Sequence, residues 1–290
     1  MLARVRGPLL FLFVIACSAA GAQALDPSSP LALQRPDVPG ARGVIGVPFF
    51  EGFEPPAWSS GPIGQNGWST TAANTFPAVM SDNPAAGQQH VRFDDDPQEG
   101  PGFPGNLTFS PTFVGPRPTL SIELDVFVSN LGGADYYINP QAPTRNLTCA
   151  RVRFAGRDPN GDGRRGDIQV LDDLNGPAPG GIMLVDTGAV TLPGKYRSLR
   201  IEYAGDALVR YYYDGKLIHT GSAIYDAAGE PCNGPQVEEL ALADNQFQFL
   251  AAGNFADIDN VRVTPEPGTI LLLLAGRIVV ARRQRGSRLR

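Results

Sequence analysis

The chain is poor in charge, cysteine and histidine. Of its 290 residues only 18% are Asp, Glu, Lys or Arg, three are Cys and two are His. His90 and His219 stand far apart with no Cys nearby, which leaves no zinc-finger, H-E-x-x-H or Cys-His nucleophile spacing. Glycine loops of the P-loop or dinucleotide type are also missing. No apolar run reaches the roughly 20 residues that a membrane-spanning helix needs. Outside the two ends, no window repeats its apolar residues at helical spacing. Lys+Arg 24 against Asp+Glu 29 gives a net charge of −5, which argues against a basic nucleic-acid-binding face.

Glycine and proline are abundant, 34 and 27 residues, together about a fifth of the chain against an average near 12%. With 42% apolar content, that punctuation favours short strands joined by turns over a helical bundle. The length suits one large domain or two small ones.

The ends differ from the body. Arg4 and Arg6 open the chain, an apolar run follows over 8–20, and Ala22, Gln23 and Ala24 close the segment. These are the parts of a secretory signal peptide, 1–24, cut before Leu25. Val14 to Cys17 is loosely a lipobox, an alternative that would put a lipid on Cys17. At the other end, over 264–290, Pro265, Glu266 and Pro267 precede an apolar segment, 269–281, and an end carrying Arg282, Arg283, Arg285, Arg288 and Arg290. This order of parts resembles the PEP-CTERM sorting signal of exosortase substrates, with Pro265, Glu266 and Pro267 at the motif. The resemblance implies Sec export, processing of the tail by an exosortase, and a place at the cell surface or in the extracellular matrix. The apolar segment would cover roughly 20 Å of a ~30 Å membrane core. Its Arg277 would cost about 2.5–3.5 kcal/mol near the centre, so this short C-terminal membrane helix reads as a transient inner-membrane anchor.

Setting aside the eight basic residues of the two ends and Glu266 leaves 16 basic and 28 acidic residues in 25–264, a net of −12. Such a surface stays soluble, repels anionic polymers and invites divalent cations. Without the leader, Cys149 and Cys232 remain, and an even pair in an exported chain reads as a disulfide.

Residues 25–43 hold Pro27, Pro30, Pro36 and Pro39 and read as a linker. The folded domain is expected over 44–263, with strands at 44–50, 67–71, 89–93, 107–109, 120–129, 150–154, 167–171, 182–186, 198–203, 208–213, 216–219, 239–249 and 255–263. Leu120, Ile122, Leu124 and Val126 alternate onto one face. Asp214-Gly215 between two apolar runs marks a two-residue hairpin turn. So many strands without covering helices imply an all-β, antiparallel β-sandwich. The stretch YRSLRIEYAGD followed by YYYDGKLIHTG, with the closing 258–263, resembles concanavalin A-like (laminin G-like) jelly rolls.

Laminarinase-like enzymes on that fold take their acids from one strand of pattern E-x-D-x-x-E. Glu123 and Asp125 begin it, but no third acid follows. The expectation is therefore a non-catalytic binding or scaffold module for carbohydrate or exopolysaccharide; a glycoside hydrolase or lyase on the same jelly roll is the alternative. Two calcium sites are candidates. Asp158, Asn160 and Asp162 follow the first half of an EF-hand-like loop, with a polar turn as the alternative. Glu54 near the start and Asp259 near the end resemble a site at the paired ends of carbohydrate-binding jelly rolls. Trp58, Tyr136, Tyr137, Tyr211 and Tyr213 are the candidate rings for sugar stacking, although one face of the 211–213 run could be core.

Overall fold

A computed structural model describes residues 23–24, 43–70, 77–94, 107–115, 119–132, 134–156, 161–176, 181–245 and 254–265. They form the expected antiparallel sandwich. The first sheet runs β1 (Gln23–Ala24), β15 (Ile182–Val190), β14 (Asp167–Asp173), β13 (Val152–Phe154), β11 (Asp135–Ala142), β19 (Glu239–Asn245), β8 (Leu107–Phe109) and β5 (Ser69–Thr70), with β12 (Leu147–Thr148) also paired to β11. The second runs β18 (Lys216–Ser222), β17 (Leu208–Tyr213), β16 (Arg197–Tyr203), β10 (Leu120–Val128), β20 (Phe255–Thr264), β7 (His90–Asp94), β6 (Ala78–Met80) and β4 (Gly61–Pro62), with β3 (Phe49–Glu51) on β20. A short parallel pair joins β2 (Val44–Gly46) to β9 (Thr112–Val114).

The core lies between the two large sheets. Leu120, Ile122, Leu124, Val126 and Val128 on β10 are all buried, as the alternation requires. They join Leu199, Ile201, Tyr203, Val209 and Tyr211 against Tyr136, Ile138, Val152, Phe154, Ile168, Val170, Leu240 and Leu242 of the first sheet. At the Asp214-Gly215 turn both residues have positive φ, 51° and 72°, the type I′ geometry that matches strand twist.

The expected strand at 44–50 is two strands in different sheets, because the chain changes partner at Pro48, which has no N–H to offer a ladder. In β20 the alternation slips at Asn260, which has φ 52°. The register shifts there, so Asp257 and Asp259 and then Arg262 share the outer side, while Ile258, Val261 and Val263 face the core.

Cys149 and Cys232 are bonded, as expected, across a separation of 83 residues. Closing a loop of that length removes about 4.5 kcal/mol of unfolded-state entropy in the chain-entropy model. Among the described residues no helix is long and apolar enough to cross a membrane. The leader apart from Gln23–Ala24, the linker apart from Gly43, and the sorting signal beyond Pro265 lie outside the described residues. Cleavage before Leu25 would remove β1 and leave β15 as the sheet edge.

Candidate functional site

On the outer side of the first sheet, strand pairing stacks polar residues into rows. One row reads Ala243, Tyr137, Arg153, Gln169 and Asp186 across β19, β11, β13, β14 and β15. The next reads Phe109, Ala241 and Asn139, with Arg151 just ahead of β13, and then Leu171 and Leu184. Beyond it Glu239 stands opposite Gln141. Alternation along β11 puts Tyr136 and Ile138 into the core and Asp135, Tyr137, Asn139 and Gln141 onto this outer face.

An outer sheet face is expected to be solvated, yet this one is withdrawn from water: Asn139, Asp167 and Glu239 are each 0% exposed. Burial on this scale demands partners. Arg153 donates from Nε and Nη2 to Asp135 Oδ2 at 3.1 and 2.6 Å and from Nη1 to Gln169 Oε1 at 2.8 Å. Asp135 Oδ1 accepts the Gly156 amide at 2.9 Å. Arg151 donates Nε to Asn139 Oδ1 at 2.8 Å and lies 5.7 Å from the Tyr137 ring centroid. Two donors on the face find no acceptor, Asn139 Nδ2 and Gln141 Nε2. Burial pushes the Arg151 guanidinium down to about 10, with the like charge of Arg153 adding to the effect. Burial also opposes the charge on Arg153, but Tyr137 and Asp135 outweigh it and hold that guanidinium above its ordinary value.

Phe109, Tyr137, Ala241 and Ala243 form an apolar cluster of their own on this side. All four are at most 5% exposed, and amide and guanidinium donors lie beside them. For glycoside hydrolysis, two carboxyls must lie roughly 5–10 Å apart. Glu239 and Asp135 are about 20 Å apart along the sheet, counted from six residues of strand rise. Asp135 and Asp167 stand two strands apart, about 10 Å by strand spacing, with Asp135 already held by Arg153 and Gly156.

The expected residues fall elsewhere, with one exception. Of the five stacking rings, Tyr137 lies on this face. Trp58 is buried against Phe53 at 5.1 Å, Tyr136 is in the core between the sheets, and Tyr213 packs on Phe154 at 5.8 Å. Tyr211 is buried with its hydroxyl donating to the Leu171 carbonyl at 3.0 Å. Those four rings are corrected to core residues, and Tyr137 is packed as well, 5% exposed among Phe109, Ala241 and Ala243; a stacking platform must present a free ring face, and none of the five does. Glu123 and Asp125 are on the outer side of the second sheet, where Glu123 is flanked in register by Arg200 and Arg262 and Asp125 accepts Asn260 Nδ2 at 2.8 Å.

The paired ends do meet, since β3 runs beside β20. There Glu54 accepts the amides of Gln88 and Gln89, and Asp259 accepts those of Ala85 and Ala86 at 2.9 and 3.2 Å. Gly87 has φ 69° and a Cβ there would overlap the Glu54 carboxylate, so glycine lets the loop close on it. Burial, reinforced by the charge of Glu54, raises the Asp259 carboxyl. Next to it, Asp257 is gripped by Arg92 (Nε to Oδ1 2.7 Å, Nη2 to Oδ2 3.0 Å) and Asn83. Asp162 is exposed and accepts the Arg164 amide and Nε at 2.9 and 3.0 Å, whereas Asp158 and Asn160 lie outside the described residues. Among the described residues, no group of three or more His, Cys, Asp or Glu is placed to hold a metal.

No protein-family model matches the chain, and no curated protein matches it. Solved structures are similar in the course of their strands. The cellulose-induced protein Cip1 is 13% identical with a TM-score of 0.46, over 75% of this chain and 97% of that one. An endo-β-1,4-glucuronan lyase from the fungus Trichoderma reesei is 10% identical with a TM-score of 0.45, over 76% and 95%. A Bacillus licheniformis β-glucanase is 14% identical with a TM-score of 0.42, over 76% and 98%.

Proposed function

We propose that this is an exported, exosortase-processed surface or matrix protein that binds glycan without catalysis, through the outer face of its first sheet. The observation that carries the binding is the buried polar face itself, where Asn139 and Gln141 hold donors with no acceptor beside the Phe109 and Tyr137 rings. Export and tail processing rest on the two basic-apolar ends and the Pro265, Glu266, Pro267 motif. Calcium at Glu54 and Asp259, or at Asp158, Asn160 and Asp162, is part of the same proposal, as a structural ion outside the binding face.

A pull-down of the exported chain on polysaccharide, with and without calcium, tests it. Retention on the polysaccharide is the expected result, and no binding in either condition sinks the reading. Intact-mass measurement of the native protein is expected to show cleavage before Leu25 and loss of the tail. A second reading, a hydrolase or lyase, draws on the placement of Asp135 and Asp167 two strands apart on this face. Release of reducing ends or unsaturated products that disappears in Asp167→Asn would replace binding with catalysis.

A further inference from the structure

We propose that one corner of the sandwich, carrying Val44, Phe50, Val114 and Arg262, lies against a zwitterionic phospholipid surface while segment 269–281 anchors the chain. This rests on the reading of 264–290 as a transient membrane anchor and adds to it a contact made by the folded domain. Seven large apolar side chains are exposed among the described residues, and three of them meet here: Val44 at 69%, Phe50 at 57% and Val114 at 42%. Single exposed apolar residues are ordinary, but several gathered at one corner call for a cover. Parallel pairing of β2 with β9 puts Ile45 and Phe113 on the core side and Val44, Gly46 and Val114 on the other. The Val47 amide donates to the Val114 carbonyl at 3.1 Å and, three residues on, Phe50 stands opposite Arg262 of β20. The exposed Arg262 guanidinium lies 5.3 Å from the Phe50 ring centroid.

The tail indicates what covers this corner. Strand β20 ends at Thr264, beside Ser121 near the start of β10, and residues 265–268 alone separate it from the apolar segment. Five Cα steps span at most about 18 Å, and the headgroup zone takes roughly 6 Å of that. The end of β20, with Arg262 two residues back and Phe50 opposite it, is therefore held at the membrane whenever the tail is inserted. Three apolar side chains would hold a membrane weakly by themselves. A linker this short makes the contact intramolecular, at an effective concentration of about millimolar. The net −12 of the body opposes an anionic surface. The lipid that fits is zwitterionic, with its phosphate facing the Arg262 guanidinium and its acyl boundary facing the three apolar side chains.

Fluorescence quenching decides the matter, with the full exported chain, tail intact, reconstituted into phosphatidylcholine vesicles that carry a nitroxide-labelled headgroup. The fluorescence added by Phe50→Trp is expected to fall by at least half. The comparison is Leu192→Trp, 42% exposed and at the far end of β10, two residues before Gly194, whose amide donates to the Val128 carbonyl. Its added fluorescence is expected to stay. Val44→Asp, combined with Phe50→Trp, changes an exposed side chain, so melting temperature holds while the quenching falls at least twofold. Equal quenching at the two positions, or quenching at Phe50→Trp that Val44→Asp does not move, overturns the docking and leaves the membrane tail intact. Quenching that arises only when phosphatidylglycerol is added overturns the zwitterionic surface. A full chain that does not float with the vesicles removes the tail reading and the docking together.

Discussion

The outer face of the first sheet and the β16–β17 part of the outer face of the second carry similar residue types in opposite states. On the first, Asp135, Asn139, Arg151, Arg153 and Glu239 are withdrawn from water, and two amide donors have no acceptor. On that part of the second, Arg200 and Arg210 reach Glu202 and Asp206 while partly in solvent, and Arg200 also lies 4.0 Å over the Tyr212 ring, whereas the β7–β20 part is buried around the Arg92–Asp257 pair. Exposed pairs of this kind satisfy themselves and water does the rest, so the β16–β17 part of the second face needs nothing more. The first has paid desolvation without completing its hydrogen bonds, which natural cores avoid unless the site serves something else. Polarity alone therefore does not mark a site; on the first face it is both buried and incomplete.

The comparison breaks most readily at Arg153. Arg153→Met takes the guanidinium away from the buried Asp135 carboxylate, and a buried pair that loses one partner costs about 3–5 kcal/mol. Urea unfolding at neutral pH measures this. Adding Asp135→Leu to Arg153→Met is expected to recover most of the loss, because both desolvation costs then vanish. A single variant as stable as the parent would mean that the face is wet and the contrast between the sheets is false.

Alternation made much of the fold legible beforehand. Leu120, Ile122, Leu124 and Val126 announce β10, and Asp214-Gly215 announces the hairpin, because one local rule governs each. Strand β11 escaped, although it is the central strand of the candidate site. Its inward set, Tyr136, Ile138, Pro140 and Ala142, includes a proline, and its outward set is Asp135, Tyr137, Asn139 and Gln141. Period-two reading looks for apolar against polar, whereas here both sides are buried and the outer one is polar. The signal that was available is the repeated Arg in 151–153 beside a run of Asp, Asn and Gln at spacing two. It becomes a site only when pairing between β11 and β13 brings the two runs together. The four core rings show the converse: ring identity is visible in the sequence, and which sheet face covers the ring is not.

A smaller effect is expected where the sheets are joined at their edges and neither outer face is involved. Asp172 of β14 receives His219 Nε2 at 2.8 Å on one oxygen and the Ser222 amide at 2.8 Å on the other, both from β18. Burial alone would raise this carboxyl, but the hydrogen bonds from His219 and Ser222 outweigh it and hold the group below its ordinary value. A carboxyl depressed in the folded state contributes stability that is fully present above its unfolded value, about 3.9. That contribution is lost as pH falls through the folded value. Asp172→Asn should therefore cost about 1.5–3 kcal/mol at pH 7, the range for hydrogen bonds to a charged group. The gap to the parent narrows in unfolding curves taken below about pH 3.9. A gap that stays constant with pH would assign the latch to packing instead of charge.

The smallest effect belongs to the second face and completes the contrast. Arg210 Nη2 lies 2.7 Å from Asp206 Oδ2, closer than two of the three contacts of Arg153 given above, yet the two side chains are 26% and 44% exposed. If distance governed energy, Arg210→Ala would rival Arg153→Met. Solvent screening argues otherwise: the exposed pair gains little over its hydrated parts and gives up side-chain entropy to form, so the expected loss is about 0.2–1 kcal/mol. Raising the salt to about 1 M shrinks the screening length to about 3 Å and should erase most of even that, while the cost of Arg153→Met stays nearly constant because its pair is out of reach of ions. Paired unfolding measurements at low and high salt separate the two positions. Equal salt sensitivity at both would place Asp135 and Arg153 in water and remove the ground for seeking a ligand on the first sheet.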